Sequence, residues 1–378
     1  MAGMNFSQTK PNEMLLHLGP QHPIQPGPFL LDLKLAGETV IEADLDMGYI
    51  HKGIEKIMEN LTWMQCMPIT DRICYLASST NNEVYCAGVE TLCGIEVPER
   101  SQYIRVIVHE LSRIQSHLLG IGEYATDLGF LTMFLYMIRE REEVLTLIET
   151  ITGQRITHNF IRFGGVRQDL PENFAQKSKK VLDELRKKID EHDELMSSDG
   201  IYRERTVGVG VLTPEIAKSF GVAGPPLRAT GVAYDVRKDE PYLIYDDLDF
   251  KVVTGTDGDI FTRIKVRLEE MRQSIYMIEQ ALDQIPQGPL FPPGSPYGRR
   301  TPVMRVPAGE VWSRVEDPRG EMAMYIVSDG SKKPYRVKIR GPVFATMQTL
   351  PPLLKGVYMA DVSAIAASMD ACTSEADR

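Results

Sequence analysis

The five cysteines and seven histidines of this 378-residue chain hold its most versatile side chains, and their spacing limits the chemistry open to them. Cys66, Cys74, Cys86, Cys93 and Cys372 contain no Cys-x-x-Cys pair, so a zinc or iron–sulfur site held by this chain alone is not expected. Two of them stand apart. Cys74 lies in Asp71-Arg72-Ile73-Cys74-Tyr75-Leu76-Ala77, near the start of an expected helix, and Cys372 in Asp370-Ala371-Cys372-Thr373-Ser374-Glu375. Taken singly, either is also an ordinary small core residue. Tyr75, beside Cys74, is from the residues alone an ordinary bundle tyrosine with its hydroxyl satisfied inside the fold. His109 and His117 fall eight apart on one expected helix without a third ligand in view, which favours structural roles. Nucleotide chemistry is poorly supported: no phosphate loop occurs, and Gly208-Val209-Gly210 is too short a fragment to count.

The elements that must hold these residues follow from periodicity. Leu31, Leu33 and Leu35 alternate with Asp32 and Lys34 in a hairpin over 29–46. Before it, residues 19–28 carry four prolines and two glycines, a shaped loop that includes His22 and Pro26. Helical spacing predicts helices over roughly 68–93, 99–121, 127–151 and 172–196, and a fifth over 259–284. In 99–121 the stripe Ile104, Ile107, Val108, Leu111, Ile114, Leu118 marks one apolar face. Strands around Glu310–Trp312, Met322–Val327 and Tyr335–Ile339 read as a meander. The expected class is α+β, mainly α: a long-helix bundle with small antiparallel sheets near both termini. The expected segments are 1–52 (hairpin and loop), 53–198 (bundle) and 199–378 (fifth helix, meander and tail).

Composition excludes several classes. Hydrophobic residues make up 43% and charged residues 25%, as in ordinary globular chains. The net charge is −10, from 42 basic and 52 acidic residues, so nucleic acid is not an expected partner. Sparse, odd-numbered cysteines point to reduced thiols in a cytosolic compartment. The most apolar stretch, Phe130–Ile138, is about half of the ~20 residues a membrane span needs, and Met1–Lys10 has no apolar core of signal-peptide type.

The Cys74 and Cys372 passages resemble the paired Cys-x-x-Cys motifs that hold nickel and iron in hydrogenase large subunits, with Ala77 and Glu375 at the second cysteine of each pair. A bimetal centre needs four thiolates, and a methyl group cannot replace a soft donor; the resemblance is to a degenerate metal site. His17-Leu18-Gly19-Pro20-Gln21-His22-Pro23, Gly48-Tyr49-Ile50-His51-Lys52-Gly53, Arg139-Glu140-Arg141-Glu142 and Ile161-Arg162-Phe163-Gly164-Gly165-Val166 resemble the D (49-kDa) subunit family of respiratory complex I, across nearly the whole chain. The ending around Cys372 and the loop Gln25-Pro26-Gly27-Pro28 are more similar to its archaeal branch, the D subunits of coenzyme F-420 dehydrogenases of methanogens.

That resemblance implies a hydrogenase-like fold and a site where a hydrophobic carrier, methanophenazine or a quinone, is reduced. It implies that Tyr75 bonds one side of the carrier's headgroup and that Asp127 belongs to a proton relay. The relay's usual histidine falls at Pro26, which cannot carry a proton; His22, in the same loop, either substitutes or merely ties the loop down. Arg72, and His158 beside the family's histidine position Thr157, fall near a 4Fe–4S cluster held by the adjacent small subunit. No cofactor is expected on this chain alone. The implied partners are the small B-type iron–sulfur subunit, the C-type (30-kDa) subunit, the membrane H- and A-type subunits and the ferredoxin-like I-type subunit. The implied setting is peripheral, on the cytoplasmic side of the membrane, in a proton-pumping complex fed by reduced coenzyme F-420 in methanogenesis, or by ferredoxin or NADH. Three other readings remain: the D subunit of an NADH-quinone oxidoreductase proper, a nickel–iron hydrogenase subunit, distinguished by its nickel content, and a non-catalytic scaffold.

Overall fold

The computed structural model describes residues 10, 12–21, 27–293 and 304–378. His22 and Pro26 therefore lie outside the described residues.

An N-terminal antiparallel sheet comes first: β1 (Glu13–Leu18), β2 (Leu30–Ala36) and β3 (Thr39–Asp46), in the order β1-β2-β3. The expected hairpin is its β2–β3 pair, and β1 adds a strand opposite Leu31–Ala36 that the alternation pattern did not indicate. Next are α1 (Ile54–Asn60), α2 (Trp63–Thr70), α3 (Ser78–Cys93), α4 (Glu99–Asp127) and α5 (Leu131–Thr152). A short hairpin, β4 (Ile161–Arg162) and β5 (Gly165–Val166), leads to α6 (Phe174–Ser198). Short helices α7 (Gly200–Thr206), α8 (Pro214–Phe220), α9 (Pro225–Arg228) and α10 (Val236–Asp239) occupy the loop-rich region, and α11 (Ile260–Gln284) rejoins the bundle against α4 and α6. The meander is β6 (Gly309–Asp317), β7 (Gly320–Ser328) and β8 (Arg336–Arg340). The tail folds as α12 (Pro342–Met347), α13 (Leu350–Leu354), α14 (Met359–Ser368) and α15 (Thr373–Asp377). One hydrophobic core runs through all of these regions. No helix among the described residues is long and apolar enough to cross a membrane.

Two departures from periodicity matter for the site. The helix expected over 68–93 is two helices separated by a turn over 71–77. The cause is the run Ser78-Ser79-Thr80-Asn81-Asn82, whose side chains compete with the helical backbone for its carbonyls. Asn81 Nδ2 donates to Cys74 O at 3.1 Å, Ser78 Oγ to Tyr75 O at 3.2 Å and Thr80 Oγ1 to Ala77 O at 2.9 Å. That turn presents Arg72, Cys74 and Tyr75. The second departure is α4. Its apolar stripe is fully buried as expected, but Arg105, His109, Glu110, Arg113 and His117 on its other faces are buried as well. The helix is central, and its charges are satisfied by neighbours rather than by water.

Candidate functional site

The turn 71–77 is closed from outside by the end of the chain. Lys52 Nζ donates to Arg72 O at 2.7 Å and to Ser374 O at 3.1 Å, bracing turn and tail together. Ser374 Oγ donates to Ile73 O at 3.0 Å. Ile50 N donates to Asp377 Oδ2 at 3.0 Å, and the His51 ring meets Asp377 O at 2.6 Å. The motif Tyr49-Ile50-His51-Lys52 thus clamps α15 beside Cys74. A Cβ on Gly27 would overlap Thr373 Oγ1, so the end of the proline-rich loop abuts the same tail.

Inside this clamp the two singled-out cysteines meet, Cys372 Sγ lying 3.2 Å from Cys74 Sγ. Glu375 joins them, its Oε1 accepting from Val343 N at 3.0 Å while Oε2 is buried without a hydrogen bond. Among the described residues these three form the one group of ligand-type side chains that converges tightly enough for a metal ion. The donor set does not fit a nickel–iron centre: two thiols and one carboxyl stand where four thiolates are required. Burial pushes the Cys74 thiol well above its usual range, with Cys372 adding to it, and burial does the same to the Glu375 carboxyl. Arg319 supplies the local cation. Its Nη1 lies 3.5 Å from Cys74 Sγ and its Nη2 donates to Asp370 Oδ1 at 2.9 Å. Arg319 stands at the tip of the tight β6–β7 turn. The turn is seated on bare backbone, since a Cβ on Gly224 would collide with Arg319 O, and one on Gly320 would come within 2.6 Å of Ala223 C.

Tyr75 stands at the mouth of a narrow cleft lined by Gly120, Glu123, Tyr124, Arg319, Asp370 and Cys372. The phenol is 47% exposed and its hydroxyl has no hydrogen-bond partner among the described residues. Burial of the ring's surroundings, with smaller contributions from nearby Cys372 and Glu123, raises it to about 12, so it is a proton donor at neutral pH. The cleft's free volume is about 20 Å³, room for a water but not for a ring system.

Asp127 faces a different and larger cavity, about 400 Å³, lined by Leu18, Phe29, Leu31, Arg205, Met359 and Ala366 among others. Its size and apolar walls suit an aromatic headgroup. Leu18 and Phe29 bracket the loop that holds His22 and Pro26. Burial, reinforced by Glu123, raises the Asp127 carboxyl to about 7. Tyr75 and Asp127 do not share a cavity. They occupy neighbouring ones along the seam between α4 and α14, with Ala367 lining the first and Ala366 the second.

Arg72 is exposed, held by a 2.6 Å bond from its Nη1 to Pro68 O. Beside it Asp71 is fully buried, with neither carboxyl oxygen hydrogen-bonded, and burial raises it to about 7. His158 is buried, its Nε2–H donating to Arg155 O at 3.1 Å, and burial lowers it to about 4. Thr157 and Asn159 on either side adopt positive φ (54° and 42°), a strained loop close to Asp71 and Arg72. Sequence reasoning did not single out Arg319, Asp370, Glu123 or Arg205. Only Arg319 carried a signal, a charge at the tip of the turn Asp317-Pro318-Arg319-Gly320.

A family profile described as the respiratory-chain NADH dehydrogenase 49 Kd subunit matches residues 127–378. The chain is 65% identical over 367 residues to the D subunit of the F(420)H(2) dehydrogenase of Methanosarcina mazei, covering 97% of this chain and 98% of that one. The chain belongs to the 49-kDa (D) subunit family. It is also 46% identical to the NADH-quinone oxidoreductase D subunit of Dehalococcoides mccartyi over 370 residues (98% of this chain, 99% of the relative), and 46% identical to that of Geobacillus kaustophilus over 366 (97% and 98%). As a member of this family it is an oxidoreductase subunit of complex I type. The degenerate cysteine pair therefore belongs to an electron-transfer family.

Proposed function

We propose that this chain and a small iron–sulfur subunit form the site where a membrane carrier, methanophenazine or a quinone, is reduced with electrons from reduced coenzyme F-420. The likeness to the Methanosarcina dehydrogenase chain supports that donor. Reduction here drives proton pumping by membrane subunits of the H and A type, with C- and I-type subunits completing the arm on the cytoplasmic face. The cluster is the partner's, because this chain's sulfur donors do not form a set of four: Cys66 donates to Met58 O, and Cys86 contacts Met67 Sδ, both away from the Cys74–Cys372 pair. A reduced cluster supplies single electrons. Arg72, exposed on its turn, faces the partner and stabilises the added negative charge there.

The observation that carries this reading is the unpartnered, half-exposed phenol of Tyr75 beside a cleft that neighbours the apolar cavity at Asp127. No protein group competes for that hydroxyl, so it is open to a guest at the mouth of the cleft. Tyr75 gives up its proton to a headgroup over the mouth of its cleft as charge develops on a carbonyl or ring nitrogen, and the neighbouring apolar cavity takes the carrier's hydrophobic part. The test is Tyr75→Phe in the assembled complex, with reduction of a soluble phenazine and a short-chain quinone as readouts. We expect about a hundredfold loss with subunit composition unchanged. Unchanged reduction of both would leave only the scaffold reading.

A further inference from the structure

The carrier's reduction consumes two electrons and two protons, and Tyr75 accounts for one proton. The usual second donor falls at Pro26, which has no proton to give. On α4, Gly120, Glu123 and Asp127 follow at spacings of three and four, so all three share one face. Glu123 lines the Tyr75 cleft, and Asp127 lines the apolar cavity about 6 Å further along the axis. Neither carboxyl has a hydrogen bond or an ion pair among the described residues. Gly120 keeps this face open: a Cβ there would sit 3.2 Å from the Asp370 carboxyl.

We propose that Glu123, exposed with Tyr75 at the mouth of the cleft, is the second proton donor to a headgroup lying over that mouth, reloaded from Asp127 one helical turn away. This inference rests on the reading of the cleft given above. Two electrons reach the carrier one at a time from the partner's iron–sulfur centre. One new N–H or O–H bond forms as the Tyr75 O–H breaks, and the other forms as the Glu123 carboxyl O–H breaks. Asp127 returns a proton to Glu123 and regains one from water, and the tyrosinate is likewise reprotonated.

The surroundings suit the role. Glu123 is exposed at the rim of the cleft; the protein packed around its carboxyl raises it, Asp370 from the end of α14 raises it further, and Arg319 on the meander and Arg141 on α5 oppose them. Tyr75 and Asp127 each feel the Glu123 charge in turn. Arg205 shares the Asp127 cavity but is engaged with Asp361 at 3.0 Å, so it does not neutralise the pair.

The experiment compares Glu123→Gln, Glu123→Asp and Tyr75→Phe in the purified complex, assayed with a soluble phenazine across pH 5–9. Glu123→Gln lowers kcat by about a hundredfold with KM little changed, and Glu123→Asp restores part of it. Removing the neighbouring negative charge also lowers the Asp127 carboxyl, so the alkaline fall in rate, centred near 7 in the parent, moves to lower pH. A parent-like rate and pH profile in Glu123→Gln, alongside a crippled Tyr75→Phe, overturns this inference alone. Parent-like behaviour in both removes the reading of the cleft as well.

Discussion

Two sets of acids occupy this molecule, and they are treated in opposite ways. Inside the bundle the buried glutamates of α3, α4 and α11, with Glu316 on β6, are met by guanidinium groups. Glu270 pairs with Arg228 at 2.8 Å, Glu316 with the same arginine at 2.8 Å, Glu110 with Arg113 and Arg237 at 3.2 Å, and Glu83 and Glu90 with Arg105 at 3.0 and 2.7 Å. Burial opposes ionisation, yet Arg113 and Arg237 hold Glu110 down to about 2, and Arg228 holds Glu270 low. Glu83 and Glu316 share their arginines with other acids and rise to about 7 through burial. Along the cleft, Glu123 and Asp127 have no such partners. Paired acids fix helices against one another; unpaired ones are free to exchange protons.

The contrast can be broken at its strongest point first. Arg228→Met removes the guanidinium that Glu270 and Glu316 share, leaving Glu270 with His117 and Glu316 with the Val236 amide, a cost of about 3–5 kcal/mol. We expect the subunit to be lost from the complex, or to melt far below the parent in thermal denaturation. Normal assembly would show that the network is dispensable.

Asp127→Asn tests the other set. The native carboxyl, at about 7, lies above its ordinary value of 3.8, so the folded chain binds the extra proton between those values. Its contribution is therefore fully present below about pH 4 and declines as pH rises to 7. The variant flattens that slope in denaturation of the complex, with little change in stability at low pH, while carrier reduction falls severalfold. A slope identical to the parent's would place Asp127 among the structural acids.

The smallest effect belongs to the surface. Arg336 bonds Glu59 at 2.8 Å but is 46% exposed, and Arg336→Gln should cost under about 1 kcal/mol, with rate and assembly unaltered. A larger shift would mean that pairing matters even where water screens it.

Much of the fold was legible from spacing. The leucine alternation in β2, the stripe of α4, the helix over 172–196 and the meander all followed from it. The break before Ser78 did not, because apolar periodicity continues across it; only the polar run 78–82 reveals that side chains take over the backbone's carbonyls. The convergence of Cys74 with Cys372 was foreshadowed by family likeness, since 298 residues separate them and no local pattern links them. Glu123 was invisible for a different reason. A glutamate on a long charged helix looks like solvent-facing decoration, and Glu123 is indeed exposed; only the fold shows that it lines the same cleft as Tyr75, Arg319 and Asp370.

Gly224 and Gly320 carry one more implication. The loop bearing Arg319 is pressed directly onto another loop, peptide against peptide, with no side chain between them to yield. A single methyl group at either glycine would therefore lever the guanidinium off its thiol and aspartate. Damage to electron transfer could originate at a position that touches neither carrier nor protons and would pass for a simple folding lesion.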